Sequence, residues 1–105
     1  MNFNKLVRDK IPEILESKGS KIKTHICDDQ EYLTRLRDKL LEEVNEFLED
    51  ETVEELADVL EVVYSLAKTK NINKDDLEKI RKEKSEKRGG FDEKIILVEA
   101  TRVEL

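Results

Sequence analysis

Leu40-Leu41-Glu42-Glu43-Val44-Asn45-Glu46-Phe47-Leu48 and Glu54-Glu55-Leu56-Ala57-Asp58-Val59-Leu60 are the two stretches that decide the reading of this chain. In both, apolar residues recur at helical spacing and acidic residues stand three apart: Glu43 with Glu46, and Glu55 with Asp58. Residues three apart on an α-helix point to nearly the same side, so each stretch presents a pair of carboxylates. Only Glu49-Asp50-Glu51 and a capping Thr52 separate the two helices, and so short a connection makes them antiparallel neighbours. Four carboxylates can then meet. Without His or Cys among them they suit a hard, oxygen-seeking cation such as Mg2+, which directs the reading towards phosphate chemistry.

Working outward, Asp28 is a good N-cap with Glu31 in capping-box position. Leu33, Leu36, Leu40, Val44, Phe47 and Leu48 then carry a helix to about Leu48. After Thr52, the residues Val53, Leu56, Val59, Leu60, Val63, Leu66 and Ala67 carry the next one to about Lys70. Pro12 and Gly19 bracket a short helix near the start, and Asn73 and Gly89-Gly90 bracket a highly charged one near the end. Ile22, Thr24 and Ile26 alternate with Lys23, His25 and Cys27, as in a strand or an extended segment. Ile95 to Val103 is apolar and β-branched enough to pair with it. The expectation is a mainly α protein: an antiparallel bundle of about four helices in a single domain over 1–105, with a small two-stranded β element around 22–27 and 95–103.

Composition agrees with long amphipathic helices: 44% of the residues are charged, 5% are aromatic and there is no Trp. A net charge of −6 argues against a nucleic-acid polymer as partner, which needs a basic surface. Cys27 is the only cysteine, and from that count the expectation is no disulfide framework and no Cys-based zinc site. Nothing in Asn2 to Lys10 reads as a signal peptide, and no apolar run approaches the roughly 18 residues of a membrane span. The expectation is a cytoplasmic protein without a membrane partner. The Val53 to Lys70 helix is apolar over well more than half its circumference, and a chain of 105 residues has little left to cover it. A homo-oligomer, dimer or higher, follows as the partner expectation.

Acidic residues on helices are usually a solvated face, and Glu55 also fits a capping box with Thr52. Helical geometry counts against that reading. At about 100° per residue, Glu55 points into the apolar arc of its helix and Asp58 lies at the border. Glu43 lies beside the direction of Leu36, with Glu46 one step further out. Carboxylates facing a seam without counter-charge are costly, by several kcal/mol at least when buried, and a divalent cation removes that cost. A ferritin-like di-iron site would need Glu-x-x-His pairs, and the only histidine, His25, lies outside these helices.

With these residues the chain resembles the all-α nucleoside triphosphate pyrophosphohydrolase superfamily, the MazG-like group that includes phosphoribosyl-ATP pyrophosphohydrolases. The pattern of that group, E-E-x-x-E, a spacer and E-x-x-D, reads here Glu42-Glu43-Val44-Asn45-Glu46 and Glu55-Leu56-Ala57-Asp58. Lys5-Leu6-Val7-Arg8-Asp9-Lys10-Ile11-Pro12, and Arg81-Lys82-Glu83-Lys84 running into Lys87-Arg88-Gly89-Gly90-Phe91, look like a small subfamily of the same group. The spacer is at the short end of the group's range, and the match is to a house-cleaning group, which leaves a house-cleaning nucleotide or a phosphoribosyl-ATP-like compound as substrate. The resemblance implies that Glu43, Glu46, Glu55 and Asp58 hold Mg2+, with Mn2+ as an alternative. It implies a catalytic role for Glu43 and for Glu42, the latter as a secondary ligand or water-orienting base. It also implies a reaction, cleavage of a nucleoside triphosphate between the α- and β-phosphates to monophosphate and pyrophosphate.

The substrate's charge calls for cations. Arg81, Lys84 and Arg88 repeat at about one helical turn and form a stripe that could grip phosphates, or one paired with Glu78, Glu83 and Glu86 as ordinary surface. Gly89-Gly90 permits an anion nest after it. Lys5, Arg8 and Lys10 form a second basic cluster, and Phe91 is either a base-stacking residue or a core plug. The rival functional classes are a non-catalytic helical interaction module and a nucleotide or metal sensor on the same fold.

Overall fold

The computed structural model describes residues 4–101, and within them the chain is helical: α1 (Ile11–Ser17), α2 (Asp29–Asp50), α3 (Val53–Thr69) and α4 (Lys74–Arg88). It divides between Asn73 and Lys74 into two units.

In the first unit, α2 starts at its cap. Asp28 is extended, and its carboxylate accepts a hydrogen bond from the Glu31 backbone N–H at 2.8 Å. The helix runs one half-turn past Leu48 and stops at Glu51, whose left-handed backbone (φ 54°) lets its N–H donate to Phe47 O at 2.7 Å. That conformation costs a non-glycine residue about 1–2 kcal/mol, and it reverses the chain with Thr52 as the only other connecting residue. Thr52 Oγ1 accepts from the Glu55 N–H at 3.4 Å and opens α3. Helices α2 and α3 pack against each other as an antiparallel hairpin. Leu36 and Val62 are its buried apolar side chains, ringed by half-buried Leu33, Leu40, Val44 and Phe47 on α2 and Val59, Val63 and Leu66 on α3. Helix α1 carries Pro12 in its first turn. It ends before Gly19 (φ 91°), whose N–H donates to Glu16 O at 3.0 Å.

The expected β element is corrected. Neither 22–27 nor 95–101 is a strand, and residues 102 and 103 lie outside the described residues. Burial over 22–27 breaks the period of two: Ile22 and Cys27, five apart, are half-buried while Ile26 is 93% exposed. The segment leads into the Asp28 cap. Ile95, Ile96, Leu97 and Val98 form a consecutive apolar run, all four exposed, without the alternation that gives a sheet one buried face.

In the second unit, α4 is polar on most of its surface, with Leu77 half-buried and Ile80 exposed. Gly89 (φ 82°) stops it, its N–H donating to Ser85 O at 2.8 Å. That N–H is consumed by the helix end and is not free for an anion nest. Phe91 is exposed rather than a core plug. Among the described residues no helix is long and apolar enough to cross a membrane.

Candidate metal centre

The α2–α3 hairpin brings the acidic pairs together. Carboxylate oxygens of Glu43, Glu55 and Asp58 lie within 4.8 Å of one another across the two helices, and those of Glu42, Glu43 and Glu46 do so along α2. Glu43 belongs to both groups, which between them contain all four expected ligands and Glu42. It is also the one buried charged residue among those described, at 8% exposure. Its position in the seam follows from the helical direction it shares with Leu36.

Electrostatics divide these acids into two kinds. Burial pushes the Glu43 carboxyl above its ordinary pKa, and the neighbouring Glu46 adds to this against the opposing pull of Lys39. Burial likewise raises Glu55, followed by the charges of Asp58, Asp50 and Glu43. Glu42 is also partly desolvated, but hydrogen bonding to Lys5 together with the Lys39 charge outweighs this and holds its pKa below the ordinary value. Glu43 Oε2 and Glu55 Oε2 are shut off from solvent and receive no hydrogen bond. One buried carboxylate oxygen without a donor on each of two facing helices is an unfavourable arrangement that a cation between them relieves. An oxygen-only donor set suits a hard divalent cation.

Three cations border the site. Arg8 Nη2 donates to Asp58 Oδ1 at 2.6 Å, and Lys5 Nζ donates to Glu42 Oε1 at 3.1 Å. Lys39 Nζ lies 3.3 Å from both Glu42 Oε2 and Glu43 Oε1. Lys5 and Arg8, expected as phosphate contacts, thus reach the acidic site from the N-terminal segment. Lys10 sits exposed at the start of α1. A cleft of about 130 Å³ beside the site is lined by Lys5, Lys39 and Glu42, with Asn4, Leu6, Arg35 and Asp38. Of the expected stripe on α4, Arg81 is paired with Glu78, its Nε donating at 2.9 and 3.0 Å, while Lys84 and Arg88 are exposed.

Two features escaped the sequence reading. Lys39 stands three and four residues before Glu42 and Glu43, a spacing at which opposite charges on a helix meet; that signal was available. The second is a group formed by His25, Cys27 and Glu31, whose ligand atoms also lie within 4.8 Å of one another. His25 and Cys27 lie in the segment that leads into α2, and Glu31 stands in the first turn of that helix.

No protein-family model, curated protein or solved structure gives a match to this chain.

Proposed function

We propose that this protein is a Mg2+-dependent nucleoside triphosphate pyrophosphohydrolase of the MazG-like kind. The reaction would cut between the α- and β-phosphates and release nucleoside monophosphate and pyrophosphate. The observation that carries the reading is the meeting of Glu43 with Glu55 and Asp58 across the hairpin, with Glu46 beside Glu43 and a donor-free buried oxygen on each helix.

In this reading Glu43, Glu46, Glu55 and Asp58 hold the cation. When bound, Mg2+ supplies neutralisation of phosphate charge and a lowered pKa for water. Glu42, kept ionised by Lys5 and Lys39, accepts a hydrogen bond from the attacking water and orients it. Arg8 and Lys5 exchange carboxylate partners for phosphate oxygens when substrate arrives, and Lys10 contributes charge. Arg81, Lys84 and Arg88 are the second proposed source of phosphate contacts. The kinetics of Arg88→Ala test that role. The active form is a homo-oligomer in which a second copy covers Leu56 and Leu60, which are 48% and 46% exposed on α3, and completes a helical bundle.

The deciding experiment is a panel of canonical, deoxy and damaged nucleoside triphosphates, with phosphoribosyl-ATP, assayed for pyrophosphate release with and without MgCl2. Release that requires Mg2+ and disappears in Glu43→Gln supports the reading. Stabilisation by Mg2+ without turnover on any member makes the chain a sensor. Neither stabilisation nor turnover leaves an interaction module.

A further inference from the structure

The carboxylate site leaves a second cluster unused at the start of α2. His25 Nε2 lies 3.0 and 3.1 Å from the two carboxylate oxygens of Glu31, and a ligand atom from each of His25, Cys27 and Glu31 lies within 4.8 Å of the other two. Sequence and capping build this arrangement. The Asp28 cap fixes where α2 begins, and Glu31 in its first turn meets residues 25 and 27 of the segment that leads into the cap. Arg35 steadies the carboxylate, with Nη2 at 3.4 Å from Glu31 Oε2. Its guanidinium is itself held by Asn4, at 2.9 Å to the backbone oxygen and 3.0 Å to Oδ1.

We propose that His25, Cys27 and Glu31 form a binding site for a borderline divalent transition metal, Zn2+ foremost, separate from the carboxylate site. Imidazole, thiolate and carboxylate are the three ligand types of protein zinc, and a set of three leaves one tetrahedral position open. Mg2+ disfavours sulfur and nitrogen, so the two sites differ in the ion they select. A zinc tetrahedron with ordinary bond lengths has donor–donor edges of about 3.3–3.6 Å. The His25–Glu31 spacing, 3.0 and 3.1 Å, opens by a few tenths of an ångström to reach this, and the Cys27 sulfur already lies within 4.8 Å of a ligand atom of each. Without metal the thiol is protonated, raised by burial and then by the charge and hydrogen bonding of Glu31. Binding transfers that proton to solvent and leaves a thiolate on the ion. None of the three residues belongs to the carboxylate site, so this inference stands or falls independently of the proposed reaction.

The test is titration of the whole protein with Co2+, read by thiolate-to-cobalt charge-transfer absorption in the near ultraviolet. The wild type should take up one Co2+ with this absorption, Zn2+ should displace it and excess Mg2+ should not. Glu43→Gln should keep the absorption, which separates the two sites. Cys27→Ser should lose it. His25→Ala and Glu31→Gln should each weaken Co2+ binding at least fivefold, with helical circular dichroism unchanged. The proposal is overturned if the wild type lacks the absorption. It is equally overturned if both His25→Ala and Glu31→Gln retain the absorption with less than a fivefold change in affinity, since a single thiol would then be capturing the ion alone.

Discussion

Arg8 and Asp58, fifty residues apart, are joined by a 2.6 Å ion pair that ties the N-terminal segment to the acidic face of α3. The pair is half open to solvent, 56% on the arginine side and 38% on the aspartate side, so screening keeps its contribution to stability below about 1 kcal/mol. The proposed function gives it a different weight. Arg8→Ala should change the melting temperature little, yet tighten Mg2+ binding, because Asp58 loses a competing cation. It should also lower kcat/KM by roughly 10- to 150-fold, as one charge-assisted phosphate contact is worth about 1.5–3 kcal/mol. Calorimetric Mg2+ titration alongside steady-state kinetics checks the two opposite signs. Looser Mg2+ binding in the variant would remove Arg8 from the site.

Glu43→Gln should stabilise the metal-free protein at neutral pH. The folded-state pKa of Glu43 is raised, first by burial and then by Glu46, so the folded chain binds this proton more tightly than the unfolded one. The contribution is therefore favourable below the ordinary glutamate pKa and is lost as pH rises through the raised value. The advantage of Glu43→Gln over wild type should be small at the acid end of that window and grow towards neutrality. Urea denaturation without metal, repeated across the window, measures it. The gain in stability from added MgCl2 should largely disappear in the variant. A variant less stable than wild type at neutral pH would show that the buried carboxylate is already compensated.

The caps at Asp28 and Thr52 follow from residue type and the inward direction of Glu43 and Glu55 from spacing on an ideal helix, and the hairpin keeps them, while α2 runs past the expected end near Leu48 to Asp50. What spacing could not foresee was a partner from a distant segment. Lys5 and Arg8 were legible as cations, but their seats on Glu42 and Asp58 depend on where the segment before α1 runs. The strand expectation failed for a related reason. Alternation in Ile22 to Cys27 describes a local preference, and a strand exists only if a second strand supplies the ladder. His25 and Cys27 turn towards Glu31 instead.

Leu56 and Leu60 test the proposed homo-oligomer. Together with Val53, which is 77% exposed, they form one stripe at helical spacing on α3, on a side that α2 leaves uncovered. If a second copy covers this stripe, Leu56→Gln with Leu60→Gln should yield monomers by light scattering at micromolar concentration, and the monomers should melt earlier. If the stripe is solvated in the native protein, the double substitution should leave both mass and melting temperature unchanged, since exposed positions tolerate such changes. A wild-type monomer mass would refute the homo-oligomer directly.

Lys39 provides a test that needs no substrate. Its ammonium lies 3.3 Å from Glu43 Oε1 and 3.3 Å from Glu42 Oε2, and it is only 17% exposed. Lys39→Met keeps the apolar stem and removes the charge, leaving Glu43 buried beside Glu46 without its nearest counter-ion. The expected cost at neutral pH is about 1–3 kcal/mol, the range for leaving a charged group's hydrogen bond unmade. The cost should shrink as pH falls through the raised Glu43 pKa, because the protonated carboxyl no longer needs a cation. It should shrink again in the Glu43→Gln background, where a double-mutant cycle isolates the coupling. Mg2+ should restore part of the lost stability, and bind Lys39→Met more tightly than wild type, since the metal takes over the charge that the lysine supplied. A pH-independent loss of the same size in both backgrounds would mean that Lys39 acts through the packing of its stem alone. The acidic seam would then hold its charges without it.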